Sequence, residues 1–413
     1  PSVAFWTRMA ARYGVMQAYG SATLLLSFGV ALSVLVEGVP GLALAAFLLG
    51  ATLMGITALG LVAARRLCPD TQIRAIAFVT AGFSVGQMIG PALAALEADV
   101  ICLQEVWTDA DNTALIDATK AAFPYSYREV TEDEAGSGEA ACTTDEMDPL
   151  AACAMVACDG VDAENLATCV LGNCGEEFGA ISDTCQTCLV SQIGQPLETM
   201  VSACTTGSGG LYAYEGRNGV LLLSKHPFAA TEMTTFESHL NVRVALHAQV
   251  QDPQMGVVDV FCTHLTADLG DVTYGGTYDS WGDEMGAQVT ELIQWVEQQR
   301  SAVVVVVAGD MNCGPEGPGG IPAEYPLNYA KFTTAGYSDA FAEADDATCS
   351  WCGDNPLVGG GGSHIIDHVL LRGSSFQTEA ERVLDQPVTL PGDIVSRLSD
   401  HYGVSVTVTV PLI

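Results

Sequence analysis

The chain has 413 residues, with 49 acidic side chains against 15 basic ones and a formal net charge of -34. So negative a surface repels nucleic-acid backbones unless counterions or divalent metals intervene, which argues against binding driven by bulk electrostatics. The length allows two or three domains with a sizeable core, and 49% hydrophobic residues is high for a purely soluble protein.

The apolar excess lies at the start. Before Glu97 the only charges are Arg8, Arg12, Arg65, Arg66 and Arg74 against Glu37 and Asp70. Tyr13–Val36, Gly41–Ala64 and Ile76–Leu96 carry no charge, and each approaches the ~20 residues a bilayer-crossing helix needs. Gly82, Gly86 and Gly90 recur at helix-packing spacing. Arginines before the first stretch and between the second and third predict a cytoplasmic start, leaving everything after Leu96 outside. The chain opens on Pro1 and shows no signal peptide with a cleavage site. Arg8-Met-Ala-Ala-Arg12, Ala64-Arg65-Arg66 and Phe83-Ser-Val-Gly-Gln-Met-Ile-Gly-Pro91 resemble part of a major-facilitator transporter. Three helices cannot form a transport path, so the resemblance implies a membrane anchor or the relic of a fusion.

Beyond Glu97, strand-like runs end in acids and histidines. Ala98–Glu105 ends in a carboxylate, Val257–His264 in a histidine, and Ala302–Asp310 in an acid followed by Asn312. Ile365-Ile-Asp367 and Ser399-Asp400-His401 complete the set. Such placement brings side chains together on one rim of an α/β fold. Glu105, Asp310, Asn312 and Asp400 are hard oxygen donors suited to Mg²⁺. His401 serves as a base if Asp367 orients it, and His264 can donate to a phosphate or leaving oxygen.

Leu103-Gln-Glu105, Thr263-His264, Gly309-Asp310-Met-Asn312, Ile366-Asp367 and Ser399-Asp400-His401, in this order, resemble the endonuclease/exonuclease/phosphatase superfamily over about 310 residues. The resemblance implies a four-layer sandwich of two β-sheets flanked by helices, and hydrolysis of a phosphodiester with Mg²⁺, Mn²⁺ or Ca²⁺. It also implies catalytic roles for His264, Asp310, Asn312, Asp367 and His401, and metal binding by Glu105 and Asp400. Asn218, in a strand like that of sphingomyelinase-type members, would bind substrate together with Asn312. One departure stands out. Family members open on a strand whose Asn helps bind the metal, and here an apolar helix runs straight into Ala92–Glu97. A sheet short of one strand and a weakened metal site are expected, with a catalytically impaired binding module as an alternative.

Asp354-Asn-Pro-Leu357 and Asn218-Gly219 resemble segments of sphingomyelinase-like members, which implies sphingomyelin or a related phospholipid as substrate, with an extracellular nuclease as the alternative. Eight cysteines between Cys142 and Cys204 occur with no histidine, predicting a disulfide framework in an oxidising compartment rather than a zinc site. Cys349-Ser-Trp-Cys352 predicts a local disulfide or two separate bridges. The expected organisation is a transmembrane segment at 1–96 and a phosphoesterase domain at 97–413, with a cysteine-rich insertion at about 140–205. The catalytic part would face outward from the membrane.

Overall fold

The computed structural model describes scattered positions from Trp6 to Leu25 and, from Gly90 on, the chain apart from 91, 133–137, 162–165, 194, 271, 273, 359–361, 374–376, 391–393 and 410–413. Contacts divide the chain into two units, Pro1–Ser84 and Val85–Ile413. In the first, the described positions are helical: Trp6, Ala10, Ala18 and Ala22 are buried together, while Tyr13 and Leu24 are exposed.

The three expected membrane spans are not upheld. Among the described residues no helix is long and apolar enough to cross a membrane. Gly41–Ala64 lies wholly outside the described residues, and the other two stretches lie largely outside them. The end of the third has a different role. Its helix stops at Ala94, and Leu93, 1% exposed, packs with Ile101, Leu115, Phe123 and Leu221 in the core of the second unit. An uncharged run satisfies a buried core as well as a bilayer, and its described end, at Leu93, is buried in a core.

The second unit is an α/β sandwich. Its larger sheet follows the order β4-β5-β6-β7-β9-β8. These strands are β4 (Phe228–Phe236), β5 (Arg243–Asp252), β6 (Gly256–His264), β7 (Val304–Asp310), β9 (Asp367–Arg372) and the short β8 (Ser338–Asp339). β6 and β7 are parallel, so a crossover must join them, and the helix Trp281–Gln299 supplies it. Its Met285, Val289, Leu292 and Val296 form one apolar stripe and pack against Phe261, Val305 and Val307. The alternate residues of the same strands, Val258, Val260, Cys262 and Val304, face the other way and meet Val220 and Leu222.

That second face meets a smaller sheet of β1 (Val100–Leu103), β3 (Leu221–Ser224) and β2 (Tyr125–Tyr127) in the order β1-β3-β2. The helix Asp109–Thr119, capped by Thr108, covers its outside through Leu115, giving the layers helix, sheet, sheet, helix. The strands β10 (Gln377–Val383) and β13 (Gly403–Thr409) pair only with each other among the described residues and form a separate two-stranded sheet.

Between 144 and 206 the chain forms five helices, all without a basic residue in their last turns. Four disulfides close this stretch on itself: Cys142–Cys185, Cys153–Cys174, Cys158–Cys169 and Cys188–Cys204. Cys102–Cys262 joins the two sheets and Cys349–Cys352 closes a tight turn. The six disulfides among the described residues indicate folding in an oxidising, extracytoplasmic compartment.

Candidate active site

Strand register builds the site. His264 pairs with Asp310 across β6 and β7, and Asp310 pairs with Asp367 across β7 and β9. Three reactive side chains therefore stand in one row at the ends of three adjacent strands. His264 Nε2 lies 3.6 Å from Asp310 Oδ2. His401, just before β13, completes the row: its Nδ1 is 2.8 Å from Asp367 Oδ2 and its Nε2 is 3.9 Å from Asp310 Oδ2.

Asn312 is fixed beside Asp310. Its backbone N–H donates to Asp310 Oδ1 at 2.8 Å, and its side-chain amide donates to the Leu265 carbonyl at 2.9 Å. This turn holds Asn312 at φ 50, a left-handed conformation that Asn tolerates better than most residues. Glu105 has φ 60. It projects from the end of β1 with much of its surface open, yet desolvation and the charge of Asp400 push its carboxyl pKa up. Asp400 also acts on His401, so the two expected metal ligands and the His–Asp pair share one field.

The electrostatics of the cluster are unrelieved. Burial, then the charge of Asp367, raises the Asp310 pKa to about 7, against the opposing pull of His401 and the Asn312 N–H. Burial would lower the His401 pKa, but Asp367, Asp310 and Asp400 outweigh it and push it up to about 11. His264 goes the other way: burial, with the positive charges of Arg243 and His401, holds it well below its usual range. It is a neutral imidazole whose buried Nδ1 has no hydrogen-bond partner.

These residues fit a divalent cation. Asp310, Asp367 and His401 each offer a ligand atom within 4.8 Å of the others. Burial first, and neighbouring carboxylates second, raise the Glu105 and Asp310 carboxyl pKa values, and a cation among hard oxygen donors offsets both costs of holding them ionised.

Two features escaped the sequence reading. Arg243, at the start of β5, is 5% exposed, and its charge interacts with Glu105, Asp310 and Glu284. Its Nε and Nη1 make no hydrogen bond, leaving donors beside the acids. An arginine inside the apolar run Val242–Leu246 was the available signal, since a charge in a buried strand needs partners. Trp107 stacks on Tyr214 with centroids 4.6 Å apart and lies 6.3 Å from the His264 ring, forming an aromatic wall. Gly219 has φ 69, and a Cβ there would come within 2.7 Å of the Trp107 ring.

Asn218 does not join the row. Its amide donates to the Glu129 carbonyl at 2.7 Å and its Oδ1 accepts from the Val220 N–H at 2.9 Å. Both ends of the side chain hold loop backbone, so its part in the fold is structural.

The chain belongs to the Endonuclease/Exonuclease/phosphatase family, whose profile matches residues 86–401. It is accordingly a metal-dependent hydrolase of phosphate esters. A second profile, Uncharacterised MFS-type transporter YbfB, matches residues 1–108. No curated protein matches the chain. Among solved structures it is similar to a beta toxin mutant from Staphylococcus aureus with bound magnesium ions, at 13% identity and TM-score 0.48 over 79% of this chain and 91% of that one. It is also similar to sphingomyelinase C from Streptomyces griseocarneus, at 15% identity and TM-score 0.46 over 79% and 91%. An endonuclease/exonuclease/phosphatase from Beutenbergia cavernae matches at 17% identity and TM-score 0.44 over 78% and 64%.

The raised carboxyl gives a test of the cation site. Asp310 has a folded pKa of about 7 against an ordinary value of 3.8, so its stabilising contribution is fully present below the lower value and is lost as pH rises through the higher one. Without metal at pH 8, Asp310→Asn should melt above wild type by roughly 5 °C, with the gap narrowing towards pH 4. Calorimetry in EDTA measures this. A variant that melts lower at pH 8 would mean the carboxylate is satisfied without a cation.

Proposed function

We propose that the protein is a Mg²⁺-dependent phosphodiesterase acting on sphingomyelin or a related phospholipid outside the cytoplasm. The observation that carries the reaction is the row of His264, Asp310 and Asp367, set by strand register, with His401 beside Asp367 at 2.8 Å. In this reading Glu105 and Asp400 would hold the cation, which leaves Asp367 and His401, though within ligand distance of Asp310, as the base pair. Mn²⁺ or Ca²⁺ satisfies the same oxygen donors. When bound, the divalent cation neutralises the phosphate's negative charge and offsets the carboxylates that hold the His401 pKa high.

The chain's own residues do the rest. His401 Nε2 takes a proton from the attacking water while Asp367, on Nδ1, fixes the ring and stabilises its charged form. Asp310 and Asn312 position water and phosphate. Neutral His264 donates a hydrogen bond to a phosphate or leaving oxygen, and the free donors of Arg243 add positive charge at the same wall. The preference for lipid over nucleic acid draws on the net charge of -34 and on the resemblance of Asp354–Leu357 to sphingomyelinase-type segments.

The full chain, kept oxidised, should release phosphocholine from sphingomyelin vesicles in Mg²⁺, and EDTA or His401→Ala should abolish the release. Cleavage of DNA without release from vesicles would transfer the assignment to a nuclease. Folded protein inactive on both would favour the catalytically impaired binding module that the sequence offers as the alternative.

A further inference from the structure

A four-residue disulfide turn outside the reactive row touches both halves of the His–Asp pair. Cys349 and Cys352 are bonded, and Ser350 between them is fully buried. The Ser350 Oγ accepts from the backbone N–H groups of Ile366 and Asp367, each at 3.1 Å. Its backbone carbonyl accepts from the Tyr402 N–H at 2.8 Å. One residue therefore holds the chain at Asp367 and the chain just after His401.

The next residues extend the grip. Trp351 forms isolated bridges to both His364 and His401. Asn355, 1% exposed, donates its side-chain amide to the carbonyls of Ser399 and Asp400 at 2.9 and 3.0 Å, while its Oδ1 accepts from the Leu357 N–H. The turn is pinned in place by Arg382, which donates to the Cys349 carbonyl at 3.3 Å and lies 4.5 Å from the Tyr402 ring centroid.

Such a linkage has a physical purpose. Asp367 begins β9 and His401 precedes β13, and the sheet order gives these strands no hydrogen-bonded pairing. The 2.8 Å contact between their side chains therefore depends on something bridging the two strand entrances. We propose that residues 349–355 are that bridge: Ser350 and Asn355 are positioning residues for the Asp367–His401 pair, and the Cys349–Cys352 disulfide keeps the turn closed. This rests on the reading of Asp367 and His401 as the base pair.

The test compares Ser350→Ala, Asn355→Ala and the double variant Cys349→Ser/Cys352→Ser, each in the full chain. Two readouts are taken: steady-state kinetics on sphingomyelin vesicles in Mg²⁺, and amide hydrogen exchange in EDTA. We expect kcat to fall by about 10–100-fold in the two single variants with KM nearly unchanged. Exchange should quicken at Ile366 and Asp367 in Ser350→Ala, and in the segment around His401 in Asn355→Ala, while the helix Trp281–Gln299 keeps its protection. The disulfide variant should show both local changes together.

Unchanged kcat in both single variants overturns the proposal. So does quickened exchange throughout the unit, which would make the turn a general stability element. His401→Ala separates the two levels: if that variant keeps full activity the base-pair reading fails, while local exchange still decides whether the turn holds Asp367 and His401 in place.

Discussion

Replacing His401 by alanine should lower kcat by about 10²–10⁴-fold at saturating divalent metal, with the fold intact. The ring sits at the edge of the sandwich, half-buried, and packs into none of the apolar clusters, so its loss leaves the core untouched. Its Nδ1 is held by Asp367 and its Nε2 faces Asp310 at 3.9 Å, the direction from which water would be deprotonated. Asp367→Asn makes the complementary test. It keeps the shape of the side chain but removes the strongest charge raising the His401 pKa, which stands at about 11 without a cation. The unprotonated form then persists to lower pH, so the acid limb of the rate profile should move to lower pH. At the plateau kcat should fall by about 10–100-fold, because an amide stabilises the imidazolium less well. A His401→Ala enzyme of undiminished kcat would place the base elsewhere, and an acid limb unmoved by Asp367→Asn would detach it from His401.

His264 and Asp310 stand out in the sequence because each ends a buried strand. Val257–His264 and Ala302–Asp310 are apolar runs that stop at a polar group, and parallel register then sets His264 beside Asp310. Other parts were illegible for a common reason, since their roles depend on partners distant in sequence. Asn218 reads as a substrate residue, yet its amide is taken by a carbonyl 89 positions away. Ser350 and Asn355 sit in a stretch rich in turn formers, and only the folded chain brings Asp367 and Asp400 to them. Leu93 lies near the end of an uncharged run that reads as a membrane span, yet it is buried beside Phe123 and Leu221. Periodicity reports that a residue is buried but not what it is buried against.

The small three-stranded sheet makes the Cys102–Cys262 disulfide a large stabilising element. Among the described residues β1 pairs with β3 alone, on one side of the strand that leads to Glu105. The bond ties β1 to β6 across the apolar layer between the sheets, over a sequence separation of 160. In the chain-entropy view, closing a loop of that length removes about 5 kcal/mol of freedom from the unfolded chain. Cys102→Ser/Cys262→Ser should accordingly lower the melting temperature by roughly 10 °C under non-reducing conditions. The effect reaches the site as well. Cys102 lies shortly before Glu105 and Cys262 shortly before His264, so the bond fixes the separation of an expected metal ligand from the phosphate-facing imidazole. Activity should therefore be lost on warming before the global transition, and more Mg²⁺ should be needed to restore it. If melting and metal requirement both stay at wild-type values, the packing of Val244, Leu246 and Val260 against Val220 and Leu222 holds the two sheets together without the bond.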